Sequence, residues 1–157
     1  MRIGHGFDVH RFSDDEHREL WLGLVHIPAE RGLDGHSDAD VATHALCDAL
    51  LGASGLGDLG RHFPSSDERW RAVTSRELLT RVVELVLASA REPQSADVTI
   101  IAQHPRLADL LNDMSDALSE IVGCFVSVKA TTTDGLGAIG DKQGIAAMAV
   151  VLLGQKS

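Results

Sequence analysis

The stretch Arg2-Ile-Gly-His-Gly-Phe-Asp-Val-His10 constrains this chain more than any other. Ile3, Phe7 and Val9 alternate with Gly4, Gly6, Asp8 and His10. Strand side chains point to opposite faces with a period of two, so the segment reads as a β-strand. The apolar set is expected to face a core. The other face begins bare, with two glycines, and ends with a carboxylate and an imidazole. Asp8 and His10, two positions apart, reach one cation together, and a carboxylate with histidine suits zinc better than calcium or magnesium. Standing alone, such a pair is more often a strand end with two solvated polar residues.

A helix expected over residues 41–53 is the second landmark. It is rich in Ala and Leu, and Asp38 or Asp40 supplies its N-cap. Asp40, His44 and Asp48 recur on it at i, i+4 and i+8, along one polar stripe. A histidine on such a stripe is usually a surface residue. If the helix packs beside the first strand, Asp8, His10 and His44 form a two-histidine, one-carboxylate set. That set leaves a fourth position open for a ligand, as in catalytic zinc sites.

The rest of the pattern suits an α+β fold. After an exposed connection at 13–19, one strand is expected over 20–27, ended by Pro28. A glycine-rich turn, Gly55-Leu-Gly-Asp-Leu-Gly60, stops the 41–53 helix. Further helices are expected at 78–87 and 107–122, with strands at 97–102, 125–132 and 145–153. The order implies a mixed sheet layered with helices in a single domain, 1–157. Thr131, Thr132 and Thr133 suit a strand by propensity alone. Followed by Asp134 and repeated glycines, they also line a strand terminus with hydroxyls and a carboxylate, where sheets commonly place ligands.

Charge limits the partners. Fourteen basic residues against 23 acidic ones give a net charge of −9, which argues against a nucleic-acid surface. A phosphate ester bound here needs metal ions and backbone N–H groups for much of its positive potential. The longest apolar run, 145–153, falls far short of the roughly 20 residues of a membrane helix. No basic-then-apolar leader is apparent at the start. Cys47 and Cys124 lack metal-type spacing and read as thiols in a reducing compartment, so a cytoplasmic protein is expected.

Five separated motifs then carry a resemblance: the 2–10 stretch, Gly35-His-Ser-Asp-Ala-Asp40, Leu46-Cys-Asp-Ala-Leu50, Gly57-Asp-Leu-Gly60 and Lys129-Ala-Thr-Thr-Thr-Asp-Gly-Leu-Gly137. In this order and spacing, from Arg2 to Leu153, the chain resembles the 2-C-methyl-D-erythritol 2,4-cyclodiphosphate synthases. The resemblance implies an enzyme of the non-mevalonate isoprenoid route. Such an enzyme converts 4-diphosphocytidyl-2-C-methyl-D-erythritol 2-phosphate to the cyclic 2,4-diphosphate with release of CMP. It implies a homotrimer whose sheets face the three-fold axis and whose active sites lie between subunits. Asp8, His10 and His44 would be zinc ligands, and Asp134 would hold a second divalent ion, magnesium or manganese.

By the same resemblance His36 and Thr132 would stabilise the transition state, and Ser37 would sit beside the reacting phosphates. Asp8 and His10 count among the substrate contacts as well. Asp58, Leu59, Gly60, Phe63, Ser65 and Asp67 would surround the polyol. Ala102, Pro105, Arg106, Leu107 and Ala108 would hold the cytosine, mainly by backbone, and Thr131, Thr132, Thr133 and Asp134 the nucleotide phosphates. Two other readings use the same ligands or fold: a zinc-dependent phosphohydrolase, and a non-catalytic trimeric nucleotide binder. The chain also departs from the family pattern. Asp134 replaces a glutamate and Ser65 an acidic residue. Ala138 and Asp141 stand where an aromatic residue and an arginine are common near the trimer axis. Three acids converging there would repel phosphate, so no isoprenoid diphosphate is expected on the axis.

Overall fold

The protein is described by a computed structural model over residues 1–70 and 73–156. A four-stranded mixed sheet forms the frame, in the order β1 (Arg2–Arg11), β6 (Gly144–Gln155), β4 (Arg91–Ile101), β5 (Val126–Thr131). β6 runs antiparallel to both β1 and β4, and β4 pairs in parallel with β5. The C-terminal ends of β1, β4 and β5 therefore share one end of the sheet. Helices α1 (Val41–Ser54), α3 (Ser75–Ala88) and α4 (Leu111–Val122) pack on one face. Short helices α2 (Leu59–His62) and α5 (Gly137–Gly140) sit in the connections.

β1 is a strand with its faces reversed from the expectation drawn from sequence. The bare side is the buried one. A Cβ on Gly4 would stand 1.9 Å from the Ala49 carbonyl oxygen, and one on Gly6 the same distance from that of Ala45. Helix α1 lies directly on the strand, its Ala45, Ala49 and Ala53 turned to the glycines at helical spacing. Only a strand without side chains on that face admits a helix backbone so close. The apolar residues point the other way: Ile3 is 74% exposed and Phe7 49%, beside Met148 and Val150 of β6. None of the described elements covers that face.

The expected strand over 20–27 is instead a hairpin, β2 (Leu20–Leu22) and β3 (Val25–Ile27). Its turn residues Gly23 and Leu24 have φ of 55° and 66°, a left-handed geometry that is uncommon for leucine. The Asp40 carboxylate accounts for it. Its two oxygens accept the Gly23 and Leu24 N–H groups at 2.8 Å each, and also the Thr43 N–H and hydroxyl. Asp40 is thus the N-cap of α1 and fully buried, not part of an exposed stripe. Burial pushes its carboxyl above the ordinary value, and the bonds from Thr43 and Leu24 limit the rise. At the far end of α1, Gly55 closes the helix with φ 74°, where the sequence placed the stop.

Two glycine substitutions separate these roles. Gly6→Ala drives a methyl into the α1 backbone and is expected to destabilise the fold by about 3 kcal/mol or more. Gly52, inside α1, has nothing within 4 Å of its would-be Cβ. Gly52→Ala is therefore expected to stabilise by roughly 0.5–1 kcal/mol. Urea unfolding at one protein concentration reads both. Similar midpoints for the two variants would refute the close-approach account.

Candidate active site

The end of β1 and the first turns of α1 meet at three side chains. Asp8 Oδ2 lies 3.3 Å from His10 Nε2 and 3.1 Å from His44 Nδ1. One ligand atom from each of the three falls within 4.8 Å of the others, and this is the one such cluster among the described residues. The glycine contact sets this geometry, because it lays α1 against β1 and brings His44 alongside the strand end. Both imidazoles are held from behind. His10 Nδ1 donates to the Asp34 carbonyl at 2.5 Å, and His44 Nε2 lies 3.2 Å from Ser37 Oγ and 3.2 Å from Ser75 Oγ. Two oriented imidazoles and one carboxylate, half-buried, suit a divalent cation with room for a further ligand.

The electrostatics agree with that use. Burial alone would push the Asp8 carboxyl up, yet hydrogen bonds and charge attraction from His10 and His44 hold it well below the usual carboxylate range. The bond to Asp8 raises His10 above its ordinary value, against the opposing effect of burial, with help from the Asp34 carbonyl. A cation entering the site displaces that proton, so affinity for it rises with pH through the elevated His10 value.

A cavity of about 250 Å³ opens over the triad. His36 and Ser37 form one wall, and Leu59, Gly60, Phe63 and Ser65 form another. The 33–38 loop reaches this position because it returns along the end of β1: Phe12 bridges Leu33, and Asp34 N–H bonds the Arg11 carbonyl at 2.8 Å. Arg18 clamps the loop, donating to the carbonyls of Leu33 and Ser37. Asp58 caps α2 through the Arg61 N–H, and Asp67 pairs with Arg69 at 2.6 Å. Both stand near the cavity without lining it.

Sequence reasoning gave no site role to Asp48, Trp70, Val73 and Leu78, which also line the cavity. Asp48 had a signal, its place on the polar stripe of α1. Burial raises its carboxyl, and it accepts the Leu59 N–H at 2.8 Å, fixing the 56–60 turn. Trp70 had none. It meets Phe63 edge-on at 4.9 Å, an arrangement that only the folded loop creates.

The remaining expected residues gather at the same end of the sheet but at its other edge. The Ala102 N–H bonds the Thr131 carbonyl at 2.9 Å, and the Gly135 N–H reaches the Gln103 side chain at 3.2 Å. This joins the 102–108 turn, with Pro105, Arg106, Leu107 and Ala108, to Thr131, Thr132, Thr133 and Asp134. The Thr132 hydroxyl lies 3.3 Å from Asp134 Oδ1, and both residues are exposed. Strands β6 and β4 separate β5 from β1, three spacings or about 14 Å. None of these residues lines the cavity over the triad. The expected residues thus fall into two groups at opposite edges of one sheet.

The YgbB family model matches residues 1–154. The 2-C-methyl-D-erythritol 2,4-cyclodiphosphate synthase of Aliivibrio salmonicida is 52% identical over 100% of this chain and 99% of its own. That of Chromohalobacter salexigens is 51% identical over 98% and 95%. Among solved structures, the bifunctional IspDF from Campylobacter jejuni aligns with a TM-score of 0.92 at 39% identity, over 98% of this chain and 42% of that one. A 2C-methyl-D-erythritol-2,4-cyclodiphosphate synthase in a CDP-bound form aligns at 0.88 and 38%, over 98% of this chain and 100% of that one. Matched from end to end in sequence and in fold, the chain belongs to the YgbB family of 2-C-methyl-D-erythritol 2,4-cyclodiphosphate synthases.

Proposed function

We propose that this chain converts 4-diphosphocytidyl-2-C-methyl-D-erythritol 2-phosphate to 2-C-methyl-D-erythritol 2,4-cyclodiphosphate and CMP, in the non-mevalonate route to isoprenoids. The meeting of Asp8, His10 and His44 beneath His36 and Ser37 carries the reading. Relatives bearing that enzyme's name support it. So do two similar structures described as CDP-bound, one of them from Plasmodium falciparum, which favour a cytidine nucleotide as part of the substrate.

The substrate supplies its own nucleophile. An oxygen of the 2-phosphate bonds to the β-phosphorus, the bridge to the α-phosphate breaks, and CMP leaves with the electron pair. No serine, cysteine or general base is needed, so the residues position and stabilise. Asp8, His10 and His44 would hold zinc, and Asp134 would hold magnesium or manganese. Cations bound there would supply Lewis acidity and neutralise phosphate charge. His36 and Ser37 hydrogen-bond the β-phosphate as its charge builds, and Thr132 does so at the nucleotide phosphates beside Thr131 and Thr133. Asp58, Leu59, Gly60, Phe63, Ser65 and Asp67 close around the polyol. The 102–108 turn takes the cytosine. Cations at these sites reconcile a net charge of −9 with a phosphorylated substrate.

Two observations favour association into an oligomer, which we read as a homotrimer with active sites between subunits. The apolar row of Ile3, Phe7, Val9, Met148 and Val150 stands exposed on the open sheet face, a patch that monomers rarely leave in water. The two groups of expected site residues also lie at opposite edges of one sheet, which suits completion by a neighbour. Ala138 and Asp141, both exposed, put no positive charge where an isoprenoid diphosphate would need it on the expected axis, and the exposed Lys142 beside them compensates only in part.

Three measurements test these statements. A phosphorus NMR time course with the cytidyl diphosphate substrate, zinc and magnesium is expected to show a cyclic diphosphate with one equivalent of CMP. CMP with a linear phosphate product would make water the nucleophile and the protein a hydrolase. Next, His44→Ala and Thr132→Ala chains, each inactive, are mixed one to one, unfolded and reassembled. Random assortment gives intact sites in about a quarter of cases, hence about a quarter of wild-type activity; no recovery means each site lies within one subunit. Finally, farnesyl diphosphate is expected to leave the melting temperature unchanged, and a saturable rise would overturn the vacant-axis reading.

A further inference from the structure

We propose that Ser75, held by Asp38, is a positioning residue that holds the His44 proton on Nε2 and so leaves the Nδ1 lone pair for a cation shared with Asp8. The proposal rests on His44 being a cation ligand, as argued above.

A count of donors and acceptors leads to it. Ser75 opens α3 and is fully buried. Its hydroxyl has one proton to give. Asp38 Oδ1 takes that proton, while Asp38 Oδ2 takes the Ser75 backbone N–H at 2.8 Å. A carboxylate only accepts, so both bonds have a fixed direction. The Ser75 oxygen keeps lone pairs alone, and these face His44 Nε2 at 3.2 Å. That nitrogen must donate.

Ser37 Oγ is the second oxygen near Nε2, also at 3.2 Å. Its hydroxyl could in principle donate to a bare Nε2, but the Ser75 oxygen would then meet a lone pair across the same gap. With the proton on Nε2, both serine oxygens accept. The Ser37 hydroxyl is left free to turn into the cavity that it lines.

His10 is served in the mirror sense. Its Nδ1 donates to the Asp34 carbonyl, which leaves Nε2 facing Asp8. The two imidazoles thus present opposite nitrogens, and each is fixed by an acceptor behind it, an arrangement that sets tautomer and ring orientation in metal sites. The acceptor behind His10 is backbone. The one behind His44 is a side-chain pair that substitution can reverse. It also ties the start of α3 to the loop that carries His36 and Ser37.

Asp38→Asn reverses it. The asparagine oxygen must face the Ser75 N–H, so its NH₂ faces Ser75 Oγ and the serine hydroxyl turns to donate to His44 Nε2. While no cation is bound, Asp8 Oδ2, 3.1 Å from Nδ1, competes for the His44 proton. Long-range proton–nitrogen NMR is therefore run on metal-free Asp8→Ala chains at pH 9, where Nε2–H is expected at His44 with Asp38 intact and Nδ1–H once Asp38→Asn is added. Zinc affinity, read by chelator competition, is expected to fall about 10–100-fold in Asp38→Asn and in Ser75→Ala. Wild-type affinity in both variants would overturn the proposal. So would a loss of affinity in Asp38→Asn with Nε2–H retained, since Asp38 would then be merely structural. If Asp38→Asn does not fold, Ser75→Ala carries the affinity test, because it leaves the backbone N–H to Asp38. His44→Ala is the reference: unchanged zinc binding there would remove the ligand assignment itself, separately from the role of Ser75.

Discussion

The approach of helix α1 to strand β1 is the contact on which the rest of this structure depends. Two backbones come close enough that a single methyl on Gly4 or Gly6 would collide with a helix carbonyl. The alanines at 45, 49 and 53 complete that fit on the helix side. Its consequence is chemical as well as mechanical. His44 sits one residue before Ala45, so the spacing that lets Ala45 touch Gly6 also carries His44 to the level of Asp8, two residues further along β1. A helix held further from the strand by side chains at positions 4 and 6 would leave the imidazole short of the carboxylate. The packing and the ligand set are one geometric fact.

Two carboxylates, Asp40 buried and Asp38 half-buried, join the other parts to that centre. Asp40 pins the β2–β3 turn to the start of α1, and Asp38, two residues earlier, pins the start of α3. The segment between β1 and α1 is therefore fastened at several points rather than draped over the surface. His36 and Ser37 lie just ahead of these fixed residues. Arg18 holds the same segment from the far side through backbone carbonyls. Loops that carry binding groups are commonly positioned by a rigid scaffold, and here the scaffold includes charges the loop itself supplies.

Much of this was legible in sequence, and what was not has a physical reason. Alternation identified β1, a cap at Asp38 or Asp40 and the glycine-rich stop bounded α1, and spacing put Asp8, His10 and His44 in one set on the condition that the helix packs beside the strand. The facing of β1 was misread because burial was inferred from side-chain polarity. A bare strand face counts as empty in such a reading, whereas a helix can occupy it more closely than any side chain. The hairpin at 20–27 escaped notice because Leu24 takes a left-handed turn that leucine does not favour; its support, Asp40, lies sixteen residues away. Trp70, Ser75 and Asp38 entered the site through contacts distant in sequence, which no local pattern records.

The same reversal bears on the open face of the sheet. A strand that buries its glycines must present its large apolar residues elsewhere, and β1 and β6 present theirs together: Phe7 pairs with Met148, and Ile3 with Leu152. Burying a side chain such as Phe or Met is worth about 1.5–3 kcal/mol, so several in one row reward association strongly. The strand that brings the candidate cation ligands together thus also carries the exposed apolar row. The two features are coupled through β1, because any change that turns its glycine face outward disturbs both at once. In the proposed assembly, a subunit held on that face would have a fixed orientation relative to Asp8 and His10. Such an orientation suits a reaction whose second group of residues lies about 14 Å away at the far edge of the same sheet.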